Sequence, residues 1–246
     1  MDSLIRQKLR LRYPPVAVIF SNNRPEKAVQ FKKDKWGCVA AMMNSAVRGK
    51  TVVFDRDTCG CIGGKVGLCF GNAYLEFPGG IDYFLSTGRE GFREGEAYIK
   101  TVELASDKVA QMPIVDIPFE FVIFKPLPGV EIEKEKPELV CFFANADQIS
   151  ALFTLANYSR PGLDNVAVRF GAGCHQVCML PYHESKQPNP RAILGMFDVS
   201  ARPRVPSDIL SFTVSFKMFQ EMEQDVPGSF LEKEAWLKVL ERIPEI

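Results

Sequence analysis

The stretch LVCFFANADQISALFTLANYS, residues 139–159, decides the fold class. Its first six residues form a short unbroken apolar run with two phenylalanines, the mark of a buried strand. Asn145 and Asp147 follow, and both residue types cap helices. From Gln148 onward the apolar residues recur at three- and four-residue steps, the helical period. VAVRF (166–170) then reads as a second strand. Strand, helix and strand in succession predict an α/β protein.

The same alternation appears upstream. PVAVIF (15–20) reads as a buried strand, a helix is expected at about 25–33, and KWGCVAAMMNSAVRGK (35–50) has helical spacing with a stop at Arg-Gly-Lys. TVVFD (51–55) is the next strand. TVELASDKVAQMP (101–113) reads as a helix ended by Pro113, and FEFVIF (119–124) as a strand. Further on, AILGMFDVS (192–200) and ILSFTVSF (209–216) read as strands. Ser229 with Glu232 carries the capping-box signature for a last helix, FLEKEAWLKVLERI (230–243). The expected fold is α/β, a mixed sheet with helices, in two structurally related halves, 1–130 and 131–246. The parallel between PVAVIF–helix–TVVFD–loop and LVCFFA–helix–VAVRF–loop suggests an internal duplication.

Bulk composition excludes several classes. The chain has 246 residues, 46% hydrophobic and 24% charged, so it carries enough apolar material for a sizeable core. Thirty basic residues balance thirty acidic ones, which gives no electrostatic pull toward nucleic acid or an anionic membrane. No run approaches the roughly 18 apolar residues of a membrane span. The start, MDSLIRQKLRLRYPP, lacks an apolar signal core, so a cytoplasmic location is expected.

Two loops stand out from this ordinary background. RDTCGCIGGKVGLCFG (56–71) follows TVVFD, and GAGCHQVCMLPY (171–182) follows VAVRF. Ligands of open α/β sheets bind beyond the carboxyl ends of strands, so the two loops are expected to face one cleft at the junction of the halves. Five of the seven cysteines lie in these loops, a sixth, Cys38, follows Gly37, and no secretion signal argues for disulfides. Cys59-Gly60-Cys61 can place two thiolates on one metal, and Cys174 and Cys178 share one face if a helix begins there. Cys38 lies at the head of the 35–50 helix, and Cys141 inside LVCFFA is a core residue.

The thiolate ligands favoured are Cys38, Cys61, Cys174 and Cys178, with Cys59 and Cys69 as alternates. Soft thiolates in a reducing compartment favour an iron–sulfur cluster over zinc. Neither the ferredoxin run nor paired C-x2-C is present, so the reading requires the loops to meet in space. The alternative is a metal-free module for a nucleotide, phosphate or carboxylate. It would use Gly60, Gly63, Gly64, Lys65, Gly171, Gly173 and His175, with free N–H groups and a cation as in a phosphate cradle. Neither the Walker spacing nor a complete G-x-G-x-x-G is present. Arg56 and Arg169, at the two strand ends, could grip an anion or form ordinary ion pairs. A redox partner or small-molecule ligand and a homo-oligomer are the expected associations, and no catalytic residue is assigned.

These segments resemble the uncharacterised family called domain of unknown function 169. The resemblance is carried by YPPVAVIF (13–20), RGKTVVFDRDTCGCIGGKVGLCFG (48–71), EGEAYIKTVELASDKVAQMP (94–113), FVIFKPL (121–127) and AGCHQVC (172–178). The family's Gly-Cys-x-Gly-Gly core falls on Gly60, Cys61, Gly63 and Gly64, and Cys59 stands outside that pattern. The resemblance implies the loops as a shared feature and no particular activity.

Overall fold

Apolar runs become strands, and their pairing builds one sheet across the chain. The computed structural model describes residues 3–245. The strands are β1 Val16–Ser21, β2 Val52–Asp55, β3 Gly88–Arg89, β4 Arg93–Glu94, β5 Phe121–Pro126, β6 Leu139–Ala144, β7 Val166–Val168, β8 Ala192–Gly195 and β9 Leu210–Ser215. Seven of them form a mixed sheet in the order β2-β5-β1-β6-β9-β8-β7, while β3 and β4 make a separate ribbon. β7 and β8 run parallel, and the other pairs of the large sheet run antiparallel. The strands before residue 130 occupy one side and those after it the other, joined where Val16 faces Cys141 and Val18 faces Leu139.

Side chains alternate across this sheet as strand geometry requires. Val16, Val18 and Phe20 point to one face, with Val52, Phe54, Phe124, Cys141 and Phe143. Ala17 and Ile19 point to the other, with Val53, Ile123, Phe142, Phe212 and Val214. The helix Val39–Val47 covers the first face through Val39, Ala40, Met43, Ala46 and Val47. The helices Ala146–Tyr158 and Phe216–Asp225 cover the second. Both sides of LVCFFA are therefore dry, which is why its apolar run is unbroken.

Asn145, not Asp147, caps the helix after β6. Its side chain accepts from Gln148 N–H at 3.0 Å, and Gln148 Oε1 accepts from Asn145 N–H at 3.1 Å. Gln148 Nε2 also donates to the carbonyls of Leu9 and Arg10, so this one buried amide pins the N-terminal segment to the sheet.

Three local expectations change. No helix forms at 25–33; instead Val29 bridges β2, donating to Thr51 O and accepting from Val53 N–H, both at 2.9 Å. Edge pairing satisfies two backbone groups there that a short, isolated helical turn would leave to solvent. Ser229 does cap, but onto Leu231 N–H, and the helix proper runs Glu234–Leu240. The strand order is mirrored about the β1–β6 seam, yet the helices following β1 and β6 lie on opposite faces. A two-fold axis normal to the sheet would keep them on one face, so the structure does not confirm an internal duplication. No helix among the described residues is long and apolar enough to cross a membrane.

Candidate functional site

The two cysteine loops leave the sheet at its opposite edges, after β2 and β7. These strands are antiparallel to each other and stand six strand spacings apart, about 29 Å at about 4.8 Å each. The loops nevertheless meet, because both fold back over the face that holds the helix Val39–Val47. Cys174 Sγ donates to Gly63 O at 3.5 Å, and His175 Nε2 lies 3.3 Å from the same carbonyl.

The first loop forms a six-residue helix, Ile62–Gly67. Cys61 is its N-cap, and the thiol sulfur accepts the Gly64 N–H at 3.3 Å. The helix ends in a Schellman pattern: Phe70 N–H donates to Lys65 O and Cys69 N–H to Val66 O. The residue at the turn, Cys69, has φ 62°, where glycine is the usual occupant. The second loop runs into a π-helical turn, His175–Met179, and then the helix Leu180–Ser185.

Most of the glycines are explained by packing. A Cβ on Gly60 would stand 2.8 Å from Lys35 O, and one on Gly64 2.5 Å from Val39 Cγ2. One on Gly67 would stand 2.5 Å from Cys174 Sγ and 2.9 Å from His175 Cδ2. Gly171 is held against His175, and Gly173 against Ala201 and Met196. Gly63 differs: a Cβ there meets only Tyr74 Oη, at an ordinary 3.5 Å. A Cβ at Gly63 would therefore be accepted in ordinary contact, with no neighbour forced to move.

The thiols converge as two groups. Cys61 is within electrostatic reach of Cys38, and Cys174 of Cys61, Cys59 and Cys38. Cys38 and Cys61 are half-buried, Cys38 as N-cap of the helix Val39–Val47. Cys59 is buried, its thiol turned to Cys61 O at 3.8 Å. The second group is deeper: Cys69 and Cys178 are fully buried and within electrostatic reach of each other. Cys141 is a core residue of β6, as its sequence position implies.

Burial is the main cause that pushes the Cys59 thiol up to about 12. Cys61 and Cys174 are also raised, first by burial, with the neighbouring thiols adding repulsion. These sulfurs are protonated thiols at neutral pH. Burial lowers His175 to about 4, so its imidazole is neutral. Its Nε2 contacts Tyr74 Oη at 3.1 Å, while buried Nδ1 has no partner in either tautomer and lies against Gly171.

Tyr74 and Asp198 belong to this site and were not singled out by the sequence. Asp198 accepts from Gly173 N–H at 2.9 Å and from Ser200, which places a carboxylate in reach of Cys174. Tyr74 sits in GNAYLEF with no local signal, and only the His175 contact reveals it. Asp198 was hidden inside the expected strand 192–200, and it comes free because β8 ends at Gly195. The two arginines are taken: Arg56 pairs with Asp116 and stacks over Phe70, and Arg169 pairs with Glu184. Among the described residues no three histidine, cysteine or acidic side chains stand close enough to hold one metal ion.

The fold and this junction define a mixed α/β protein whose distinguishing feature is a thiol-lined meeting of two glycine-bearing loops. The model of the DUF169 family, described as "Uncharacterised ArCR", matches residues 4–225, and the chain belongs to that family. Neither a curated protein nor a solved structure matches the chain.

Proposed function

We propose that the loop junction is the working site and that its chemistry is that of thiols: redox-linked, or binding a soft metal through thiolates. The carrying observation is that Cys174 and His175 meet the Gly63 carbonyl, next to the Cys61 cap, from loops that start at opposite edges of the sheet. Cys38, Cys61 and Cys174 are the central thiols, with Cys59 beside them and Cys69 and Cys178 behind. Buried thiols that repel one another as thiolates are poor free nucleophiles, but a soft cation displaces their protons and reverses that balance. An iron–sulfur cluster suits such donors better than a hard ion, with zinc as the lesser candidate. Loading would have to draw the two loops closer than they stand. All seven cysteines are free, which fits a reducing cytoplasm and a redox partner.

Anaerobic purification with assay of iron, zinc and acid-labile sulfide tests the metal form. A brown, iron-containing protein that becomes colourless in Cys61→Ser and Cys174→Ser supports it. Metal-free protein whose Cys61 and Cys174 also fail to oxidise reversibly overturns the whole thiol reading.

A second reading, metal-free binding of a nucleotide, phosphate or carboxylate, is favoured by the buried, unpartnered His175 Nδ1. A thermal-shift screen decides it, since a ligand at about 100 times its dissociation constant adds about 2.7 kcal/mol. Such a shift should vanish in His175→Ala; absence of any shift across the panel refutes this second reading.

A further inference from the structure

A charged and aromatic turn lies against the first cysteine loop without being part of the core. In FKKDKWG (31–37), Phe31 turns inward, its ring edge-on to Phe54 with centroids 5.6 Å apart, and a Cβ on Gly37 would stand 2.4 Å from that ring. The two ends of the segment therefore touch, and Lys35 N–H donates to Lys32 O across the turn at 3.2 Å. Phe31 takes the inward place, which leaves Trp36 71% exposed. Tryptophan in such a position is enriched among interface anchors. Lys32, Lys33 and Lys35 are exposed around it, and Lys65 is half-buried in the adjoining loop helix. None of these four lysines forms an ion pair among the described residues. The exposed acids of the two segments are Asp34 and Asp57, so positive charge is in excess here in a chain of zero net charge. The turn is also next to the thiols. A Cβ on Gly60, between Cys59 and Cys61, would meet Lys35 O at 2.8 Å and Trp36 Cα at 3.3 Å. Cys38 is two residues past Trp36, about 7 Å or less along the chain, which is inside a Debye length at physiological salt.

We propose that the turn 32–36 is the docking surface for an acidic protein partner that exchanges with the half-buried thiols of Cys38 and Cys61, an inference that rests on the thiol reading. Trp36 anchors an apolar side chain of the partner, and the lysines steer its carboxylates toward the turn. The lysines are exposed point charges on a convex turn, which suits a small, weak and electrostatically steered encounter of the kind redox proteins make. A nucleic acid would call for a longer basic stripe than one turn supplies. In the exchange itself, a thiolate of Cys38 or Cys61 attacks a disulfide sulfur carried by the partner. The new S–S bond joins the two proteins, the old one breaks, the leaving sulfur takes its electron pair, and the thiol proton goes to solvent.

The test uses the full reduced chain and two short probe peptides, one of glutamates around a leucine and one with lysines in place of the glutamates. Each carries a fluorophore and one cysteine held as its thionitrobenzoate disulfide. Fluorescence anisotropy reads docking, and release of coloured thionitrobenzoate reads transfer to the protein thiols. The glutamate peptide should bind at least about tenfold more tightly than the lysine peptide at about 20 mM salt and should transfer at least about tenfold faster, with both differences collapsing at about 500 mM. The combined variant Lys32→Glu, Lys33→Glu and Lys35→Glu should reverse the preference, and Trp36→Ala should weaken the glutamate peptide at least about fivefold. All four side chains are exposed, so the variants should keep the wild-type urea midpoint. Equal rates and affinities for the two peptides in the wild type, or a preference that survives the triple variant, overturns the proposal. Tighter binding of a single-stranded oligonucleotide or of phosphatidylserine vesicles than of the glutamate peptide also overturns it. Thiol transfer without acidic preference overturns the docking surface alone and leaves the thiol reading standing. Acidic preference without any transfer overturns the exchange with Cys38 and Cys61.

Discussion

Replacing Gly67 with alanine tests the meeting of the two loops at a single atom. The added Cβ would stand 2.5 Å from Cys174 Sγ, and 2.9 Å from both Cys174 Cβ and His175 Cδ2. Ordinary contacts between such atoms are about 3.5–4.0 Å, so three atoms must each give way by about 1 Å. They cannot move freely, because the π-turn is wholly buried and tied to Gly63 O by two contacts. Overpacking of this kind costs about 1–3 kcal/mol. Alanine in a helix also gains up to about 1 kcal/mol over glycine, which would partly mask the loss. Gly63→Ala supplies the control. It lies in the same helix and has the same propensity gain, but its Cβ meets only Tyr74 Oη at 3.5 Å. The difference between the two alanine variants therefore isolates the packing penalty, about 1–3 kcal/mol in favour of Gly63→Ala. Urea unfolding of both, followed by tryptophan fluorescence through buried Trp236, measures it. Equal midpoints for the two variants would refute the close approach of the loops.

Further outcomes follow from other named groups. In metal-free protein, burial holds His175 at about 4 against 6.5 in the unfolded chain. The unfolded state then binds a proton that the native state lacks between those values, so stability is full above pH 6.5 and falls toward pH 4. The loss is about 3 kcal/mol overall, at about 1.36 kcal/mol per pH unit. Unfolding titrations at pH 7.5 and 5 should show wild type losing about 2 kcal/mol more than His175→Gln. Identical losses would remove His175 as the cause. Glu184, 2% exposed, binds both Arg169 and Arg191 at 2.8 Å. Its change to glutamine should cost about 2 kcal/mol in urea unfolding, less than for a fully buried pair because both arginines reach solvent. Gln148→Ala strands the carbonyls of Leu9 and Arg10 and removes half of a capping box. A loss of about 2 kcal/mol is expected by the same assay.

Local physics was readable wherever one segment satisfied itself. The apolar run 139–144 is a strand in any packing that hides both faces, and Asn145 needs only Gln148 to cap its helix. Where a distant group offered a better bargain, the local reading missed. Val29 gave up a helical turn for two hydrogen bonds to β2. A helix continuing to Phe70 would have been locally unremarkable, yet the helix ends at Gly67 and the chain turns at Cys69, where φ is 62°.

The sequence by itself determined an α/β sheet of alternating strands and helices, the loops at Cys61 and Cys174 as its unusual feature, and family membership. Each rests on residue type and short-range spacing, which govern backbone propensity and burial. Tertiary structure decided that loops from opposite edges of the sheet meet over one face, and that Cys69 and Cys178 lie buried behind the other loop thiols. It also brought Tyr74 and Asp198 to the site. Those outcomes depend on which face each crossover covers and on the register of seven strands. That information is carried by contacts between residues a hundred positions apart, as Tyr74 is from His175, and not by the spacing within either loop.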